Sequence, residues 1–419
     1  MCAFHRNADG QLLVDNMPLS DIADAHGTPL YVYSGNGIRD AFTDFAAAVA
    51  PVSGKVHFAL KSNSALGVMA LLAQHGAGAD IVSGGELERA LAAGVAPKDI
   101  VFSGVGKSRS EISRALAVGI GQINAESPAE VEAISTIAGE MGVLAPVALR
   151  VNVDVEPGTH AKISTGQRST KFGVSVDQNE AANLYRQLHD DPNITASGLA
   201  VHIGSQITTL APFEKAYRAL LAIANGLRGE GLSLPVLDLG GGVGVDYDHG
   251  AATDFSDYGA LVTSIFKDTD FRLGFEPGRA IVANSGVLLN EVIFIKQGDN
   301  KRFVIVDAAM NDLIRPTLYE AYHAIEPLID LGGAIGPADI VGPVCETGDY
   351  LGRGLQMPEL KTGDRLAVMS AGAYGAVMAS AYNTRPPAGE VMVLDGKLHV
   401  LREQRSVQSL LAEEQIPAF

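Results

Sequence analysis

Short apolar runs recur along the chain from residue 55 onwards, and each is followed by a segment whose apolar positions have helical spacing. Such runs are typical of buried strands, while segments such as SALGVMALLAQHG and SGGELERALAAGV are typical of amphipathic helices. Eight runs occur before residue 280: KVHFAL, GADIVS, DIVFSG, GQINAE, APVALRVN, GLAVHIGS, LPVLDLGGG and FRLGFEPGR. Eight strand–helix units in succession predict an α/β fold, a closed (β/α)8 barrel of the TIM type.

The pattern changes after residue 280, where strand-like stretches such as GVLLNEVIFIKQ and EVMVLDGKLHVLREQ are separated by polar turns. We therefore predict a barrel over residues 31–279 and a second, mostly β domain of sandwich or barrel type, formed by residues 1–30 and 280–419. A doubly wound open sheet is the alternative for the first domain, but the glycine fingerprint that usually follows its first strand is missing.

Polar residues and glycines lie where the predicted barrel strands end. They are Lys61, Asp80, Ser83, Asn124, Glu126, Asn152, His202, Ser205, Gly240, Gly241, Gly242, Glu276 and Arg279. Active sites of such barrels gather at the C-terminal ends of the strands. We therefore expect these residues to meet at one end of the barrel.

Lys61 lies in HFALKSN, directly after the first barrel strand. A single lysine at this place is most often a rim residue in a salt bridge. A desolvated lysine loses part of its proton affinity and can form a Schiff base with an aldehyde. The other candidates at the same end of the barrel favour this second interpretation.

Three further groups at the barrel end have a chemical and a structural interpretation. The glycines after the seventh strand suit a phosphate contact or a tight turn. Glu276 suits a protonated pyridine nitrogen or an ordinary ion pair with Arg279. His202 and Ser205 suit a planar ring and its phosphate, although a single histidine there is usually a hydrogen-bonded core residue.

The second domain supplies candidates of its own. Cys345 in CETGD is either a partly exposed thiol near a site or a small structural hydrophobe. Arg315 and Tyr319 are four residues apart, so in a helix they share a face that could bind a carboxylate or face solvent. Tyr374 lies between glycines that would let a loop close over a ligand.

Charge and cysteine content narrow the class of protein. With 31 basic and 48 acidic residues among 419, the net charge of −17 argues against nucleic acid and anionic membranes as partners. Two cysteines give no disulfide framework and favour the cytoplasm. A long uncharged run, residues 366–384, is weakly hydrophobic, and we predict a buried strand, a turn and a small-residue helix. No metal is expected.

The motifs HFALKSN, GADIVSGGEL, STGQRSTKFG, HIGSQ, LDLGGGVG, EPGR, CETGD and GAYG occur in this order over nearly the whole chain. Together they resemble the fold-type III decarboxylases that depend on pyridoxal 5'-phosphate. Within that family they are most similar to members that convert meso-2,6-diaminopimelate to L-lysine, the last step of lysine biosynthesis. No candidate catalytic position departs from the family pattern.

The resemblance implies a role for each candidate. Lys61 would bind the cofactor covalently, and Cys345, from the partner subunit of a homodimer with shared sites, would donate a proton. The residues implied to bind the cofactor are Lys61, Asp80, His202, Ser205, Gly241, Gly242, Glu276, Gly278, Arg279 and Tyr374. The residues implied to bind the substrate are Arg279, Arg315, Tyr319, Glu346 and Tyr374.

Two other functions stay open at this point. A related decarboxylase of ornithine, arginine or lysine would have to bind a distal cation, which Arg315 and Tyr319 disfavour. A non-catalytic pyridoxal phosphate carrier would resemble only the barrel part of the chain. The presence of Cys345 together with a second domain favours catalysis.

Overall fold

The computed structural model describes residues 3–158, 160–163, 165–166, 170–248, 250 and 252–419. The chain divides into two compact units. The barrel unit comprises Ala41–Val245 and Ala251–Ala280, and the β unit comprises Met1–Asp40, Asp246–Gly250 and Ile281–Phe419.

The N-terminal segment contributes small strands to the β unit. β1 (Phe4–Arg6), β2 (Leu12–Val14) and β3 (Met17–Pro18) form an antiparallel three-stranded sheet, followed by helix α1 (Leu19–His26), strand β4 (Leu30–Ser34) and helix α2 (Gly35–Val49). The first turn passes through Asp9 and Gly10, where Gly10 has a φ of 76°. The domain boundary predicted at residue 31 falls inside β4, and the β unit continues to Asp40.

A closed ring of eight parallel strands forms the centre of the barrel unit. In chain order the strands of this unit are β5 (Lys55–Ala59), β6 (Gly78–Ile81), β7 (Ile100–Phe102), β8 (Gln122–Ala125), β9 (Ala145–Asn152), β10 (Val174–Ser175), β11 (Ile194–Ala200), β12 (Val236–Asp238) and β13 (Arg272–Phe275). The pairing of β8 with β9 and of β13 with β5 closes the ring, and β10 is a short addition beside β9. The eight predicted strands and the (β/α)8 barrel are therefore confirmed.

Amphipathic helices alternate with the barrel strands. They are α3 (Leu66–Gln74), α4 (Gly84–Ala92), α5 (Arg109–Val118), α6 (Pro128–Met141), α7 (Glu180–Asp190), α8 (Ala211–Gly229) and α9 (Phe255–Phe266). Several begin at side-chain caps: Ser108 accepts from the Glu111 N–H, and the Glu111 carboxylate accepts from the Ser108 N–H. α5 ends at Gly119 in the left-handed region. Such capping residues determine where the helices between the barrel strands begin and end.

The rest of the chain builds the main sheet of the β unit. Its strands are β14 (Gly286–Gln297), β15 (Arg302–Val306), β16 (Ile325–Pro327), β17 (Gly336–Val341), β18 (Tyr350–Met357), β19 (Arg365–Val368), β20 (Gly389–Leu394) and β21 (Lys397–Arg402). The sheet order is β18-β17-β15-β14-β4-β20-β21, and β19 pairs with both β14 and β16. The short helices after the barrel are α10 (Arg279–Val282), α11 (Arg315–Tyr319) and α12 (Val407–Leu411). The second, mostly β part of the fold prediction is confirmed.

The uncharged run of residues 366–384 folds differently from its prediction in one respect. It begins in β19 as expected, but the predicted helix is replaced by two short 3₁₀ turns, Ala376–Met378 and Tyr382–Thr384. Tyr374, Asn383 and Thr384 have positive φ angles of 54°, 55° and 56°, which a continuous α-helix does not allow. Within the described ranges, no helix combines the length and the apolar character needed to cross a bilayer.

Candidate active site

Lys61 and Asp80 form an ion pair at the C-terminal end of the barrel. Lys61 lies in the 3₁₀ turn Leu60–Ser62 that follows β5, and Asp80 lies on the neighbouring β6. The Lys61 Nζ donates to Asp80 Oδ2 at 2.8 Å, and the Asp80 side chain is fully buried. Asp80 Oδ1 is buried as well and has no hydrogen-bond partner among the described residues. A buried carboxylate oxygen with no donor marks a place that an additional group can satisfy.

Glu276 follows β13 and is buried among other acidic side chains. Its Oε1 accepts from Ser103 Oγ at 3.3 Å and from Asn124 Nδ2 at 3.4 Å. Burial, followed by the negative charges of Asp238 and Asp80, raises the pKa of Glu276 well above its ordinary value. Glu276 therefore keeps a proton to a higher pH than an exposed glutamate does, and it can share this proton with a basic nitrogen.

His202 lies after β11 with its ring tied to the glycine loop. The Gly241 N–H donates to His202 Nδ1 at 3.2 Å, so Nδ1 is the acceptor and the proton of the neutral ring is on Nε2. Burial, with the positive charges of Lys61 and Arg150, lowers the pKa of His202 well below its ordinary value. Lys61, His202 and Glu276 line one small cavity together with Ser103, Asn124 and Arg150. We call Lys61, Asp80, His202 and Glu276 the barrel cluster.

The glycine loop after β12 has no room for side chains. A Cβ on Gly241 would lie 2.1 Å from the Glu276 carbonyl oxygen, and a Cβ on Gly242 would lie 2.4 Å from the Gly204 carbonyl oxygen. Gly278 is also closely packed, because a Cβ on this residue would lie 2.8 Å from the Ser62 hydroxyl oxygen. The glycines are therefore needed for close backbone packing, whatever else they bind.

Arg279 and Ser205 supply a cation and a hydroxyl next to these glycines. Arg279 is buried, and its Nη2 donates to Ser205 Oγ at 3.0 Å. A guanidinium, a hydroxyl and closely packed backbone amides are the groups that bind phosphate in proteins.

The candidates of the β unit fall into two groups. Arg315 begins α11, so the segment that was expected to be helical is a short helix that ends at Tyr319. Arg315 is buried; its Nε donates to His323 Nε2 at 3.2 Å, and its guanidinium carbon lies 5.1 Å from the centre of the Tyr247 ring. We call Arg315, His323 and Tyr247 the Arg315 cluster.

Cys345 and Glu346 are exposed in the loop between β17 and β18. The Cys345 N–H donates to Asn383 Oδ1 at 3.3 Å, and the Glu346 carboxylate hydrogen-bonds the Tyr382 hydroxyl. The buried Asp349 fixes the loop: its carboxylate accepts from the Met310 and Val344 N–H groups at 2.7 Å and 2.6 Å. The thiol is thus accessible on a loop whose base is rigid.

Tyr374 has a φ of 54°, an uncommon conformation for a residue with a side chain. Gly372, two residues before Tyr374, is needed for close packing, since a Cβ there would lie 1.9 Å from the Val282 carbonyl oxygen. Of the motif STGQRSTKFG, residues 164 and 167–169 lie outside the part of the chain that the structure describes.

Known proteins share this architecture. The chain matches the family model "Pyridoxal-dependent decarboxylase, pyridoxal binding domain" over residues 36–283. It is 47% identical to a diaminopimelate decarboxylase of Zymomonas mobilis, with 97% of each chain covered. The diaminopimelate decarboxylase of Vibrio cholerae is also 47% identical, with 99% of each chain covered.

The chain belongs to the diaminopimelate decarboxylase family of pyridoxal-dependent enzymes. A crystal structure of diaminopimelate decarboxylase from Helicobacter pylori complexed with L-lysine superposes with a TM-score of 0.91 at 40% identity, covering 94% of this chain and 98% of that one. The family membership includes the β unit as well as the barrel, because the curated relatives are matched over almost their full length.

The barrel fits the cofactor of this family on three observations. Asp80 Oδ1 is buried without a partner among the described residues, next to the Lys61 amine. Glu276 is a buried carboxyl group whose pKa is raised by its burial. Arg279 and Ser205 provide donors for an anion beside the glycine loop. Amine, acid and anion site are the three contacts that pyridoxal phosphate requires.

Several residues of these sites were absent from the sequence prediction. Asp238, Ser103 and Arg150 lie on or after barrel strands next to the predicted residues, and His323 and Tyr247 contact Arg315. The alternation of side-chain direction along a strand could have indicated Arg150. Arg150 and Asn152 are two positions apart on β9, so they share one face of the strand. His323 had no comparable signal.

Proposed function

We propose that the chain decarboxylates meso-2,6-diaminopimelate to L-lysine and carbon dioxide, using pyridoxal 5'-phosphate held by the barrel cluster. The observation that carries the choice of substrate is the buried guanidinium of Arg315. A distal carboxylate on the substrate pairs with such a group, whereas the distal ammonium or guanidinium of a simple basic amino acid is repelled by it.

The barrel residues bind the cofactor and set its electronics. Lys61 supplies the amine that attaches it, Glu276 holds a proton at the pyridine nitrogen, and the neutral His202 ring packs against its face. Ser205, Arg279 and the glycines 241, 242 and 278 bind the phosphate, and Asp80 stays close to the Lys61 amine. When bound, the cofactor accepts the electron pair that is left as carbon dioxide departs.

The β-unit residues select the substrate and return a proton. Arg315 and Tyr319 bind the distal carboxylate, with Arg279 in support, and Glu346 binds the distal ammonium. The Cys345 thiol donates the proton that replaces the lost carboxyl group, as a positioned general acid. Tyr374 contacts both cofactor and substrate. An exposed free thiol suits the reducing cytoplasm, where we place the protein.

The reaction is tested by assaying carbon dioxide release from four amino acids. Purified holoprotein should prefer meso-diaminopimelate to L-lysine, L-ornithine and L-arginine by a factor of about 10² or more in kcat/KM, because a site built for a carboxylate leaves its cation unpaired with the other substrates. L-lysine should be the amino-acid product. Equal or faster release from any of the three other amino acids would overturn the assignment.

We also propose a homodimer in which Cys345 and Glu346 act at the barrel site of the partner subunit. The exposure of both residues on a loop whose base is fixed by Asp349 supports this arrangement. Mixing a Lys61→Ala chain with a Cys345→Ala chain would then create one intact site in each hybrid dimer. Recovery of about a quarter of wild-type activity is expected from random pairing of a symmetric dimer. No recovery, despite demonstrated subunit exchange, would contradict the shared site.

A further inference from the structure

His323 contacts Arg315 in a protonation state that the structure defines. The imidazole is buried, and its Nδ1 lies 2.8 Å from the Met369 carbonyl oxygen, which can only accept a hydrogen bond. Nδ1 therefore carries the proton. Nε2 is then the acceptor for the Arg315 Nε–H at 3.2 Å, and the ring is the neutral tautomer.

The main chain around His323 is held by a sheet. The Met369 N–H donates to the Ala324 carbonyl oxygen at 2.8 Å, which extends the antiparallel pairing of β16 with β19 beyond Ile325 and Val368. Met369, whose carbonyl fixes the imidazole, and Ala324, the residue after His323, are thus held by an extension of this paired ladder. Arg315, which begins a helix of only five residues, is tied through the imidazole to this more rigid element.

Tyr247 restricts the same guanidinium from another direction. Its ring centre lies 5.1 Å from the Arg315 guanidinium carbon, a cation–π distance, and 5.3 Å from the His323 ring centre with the planes at 78°. Tyr247 belongs to Asp246–Gly250, which clusters with the β unit. One edge of the guanidinium is thus held by a hydrogen bond, and an aromatic ring packs against it.

We infer that His323 is a positioning residue for substrate specificity: it orients the Arg315 guanidinium so that its two terminal nitrogens face the distal carboxylate of the substrate. A bidentate contact requires the guanidinium plane to match the carboxylate plane, so a fixed plane raises affinity by lowering the ordering cost of binding. This inference rests on the proposed role of Arg315. The competing interpretation is a buried histidine that only stabilises the fold.

Two substitutions separate the two hydrogen bonds of His323. In His323→Asn the amide N–H₂ takes the place of Nδ1 and keeps the bond to Met369, but the shorter side chain has no acceptor at the position of Nε2 for the Arg315 Nε–H. In His323→Gln the longer side chain places an amide oxygen near the position of Nε2 and restores an acceptor for Arg315. Tyr247→Leu is a third variant that leaves His323 in place and removes the aromatic ring.

Two ligands separate an effect on the carboxylate from a general disturbance. L-lysine keeps the carboxylate that the reaction does not remove, while 1,5-diaminopentane has the same chain and amines without it. Binding of each to the holoprotein is followed through the visible absorbance of the cofactor, and Arg315→Ala serves as the reference. Cofactor content and the thermal unfolding midpoint are measured for every variant.

His323→Asn should weaken L-lysine binding about tenfold and change 1,5-diaminopentane binding less than about twofold, the size expected for one lost orienting hydrogen bond. His323→Gln should recover most of the loss, and Tyr247→Leu should show a smaller loss, about threefold, with the same preference for L-lysine. The loss with meso-diaminopimelate should appear in KM more than in kcat.

Equal weakening of both ligands by His323→Asn, or no rescue by His323→Gln, would overturn the inference and leave a structural histidine. If His323→Asn does not fold, Tyr247→Leu decides whether the guanidinium must be oriented: an L-lysine-specific loss supports the inference, and an equal loss of both ligands refutes it. If Arg315→Ala itself binds both ligands like the wild type, the proposed role of Arg315 fails, and the inference fails with it. If Arg315→Ala loses L-lysine alone while His323→Asn loses nothing, only the role of His323 fails.

Discussion

The barrel cluster and the Arg315 cluster both bury ionisable groups, but their surroundings act on these groups in different ways. In the barrel, burial and then the negative charges of Asp238 and Asp80 raise the pKa of Glu276, which favours its protonated form. In the β unit, Arg315 lies beside the neutral imidazole of His323 and the Tyr247 ring. The first arrangement changes a protonation state, and the second fixes the orientation of a charge that does not change.

This difference indicates that the barrel residues act on the cofactor, whereas the Arg315 cluster selects the substrate. Side chains at the ends of barrel strands are held by a closed sheet, which suits groups that must tune one cofactor. The exposed loop of Cys345 and the short helix of Arg315 suit groups that meet different substrates, since loops change more easily than strands. Substitutions in the barrel should therefore abolish chemistry, and substitutions in the Arg315 cluster should change selectivity.

The largest expected effect is that of Lys61→Ala. Removing the only amine of the barrel cluster should lower kcat at least about 10⁴-fold, as for other groups that bind covalently in an enzyme mechanism. Lys61→Arg is the matched control, because it keeps a positive charge next to Asp80 but cannot attach an aldehyde. Both variants should be inactive under steady-state assay. Activity in Lys61→Arg near that of the wild type would mean that the charge alone matters.

Arg315→Ala should lower kcat/KM for meso-diaminopimelate by a factor between about 30 and several thousand. This range corresponds to roughly 2–5 kcal/mol for a charge that loses its buried partner. Because the distal carboxylate is remote from the bond that breaks, most of the loss should be in KM. Arg218→Ala, at an exposed position of α8, is the control for loss of a surface arginine. Steady-state constants within a factor of a few of wild type in Arg315→Ala would remove the main support for the choice of substrate.

Glu276→Gln should have the smallest effect, on the stability of the cofactor-free protein. Since the folded-state pKa of Glu276 is raised above the ordinary 4.5, the folded chain binds more protons than the unfolded chain, and its stability falls as the pH rises above 4.5. Glutamine does not titrate. The unfolding midpoint of the variant should therefore gain a few degrees relative to wild type between about pH 5 and pH 8.

The exposed Glu132→Gln on α6 controls for the loss of one surface carboxylate. A difference between Glu276→Gln and wild type that does not depend on pH would contradict the burial of a neutral acid at this position.

Much of the barrel was predictable because each strand and helix carries its own local pattern. Polar residues at the C-terminal ends of parallel strands meet at one end of the barrel. Lys61, Asp80, His202 and Glu276 could therefore be expected to lie close together. Their unpredicted neighbour Asp238 lies inside the run LPVLDLGGG, where one acid among apolar residues and glycines gave no reason to pair it with Glu276. Asp238 and Glu276 come close only when the strands that carry them pair in the folded barrel.

The Arg315 cluster was less predictable for a geometric reason. The chain leaves the helical conformation at Glu320, where φ is 53°, and then joins the pairing of β16 with β19. This change of direction brings His323 into contact with Arg315. A glutamate at a left-handed position is not a turn signal in a sequence. The helical spacing of Arg315 and Tyr319 was visible, but the histidine that orients the arginine was not.

The most direct test of the division between the two units is to reduce the holoprotein with borohydride and map the modified lysine. The experiment is done on the wild type and on Arg315→Ala. We predict that the cofactor is fixed to Lys61 in both proteins at the same stoichiometry, because Arg315 is not among the residues proposed to bind it. Attachment to a different lysine, or loss of attachment in Arg315→Ala, would contradict it.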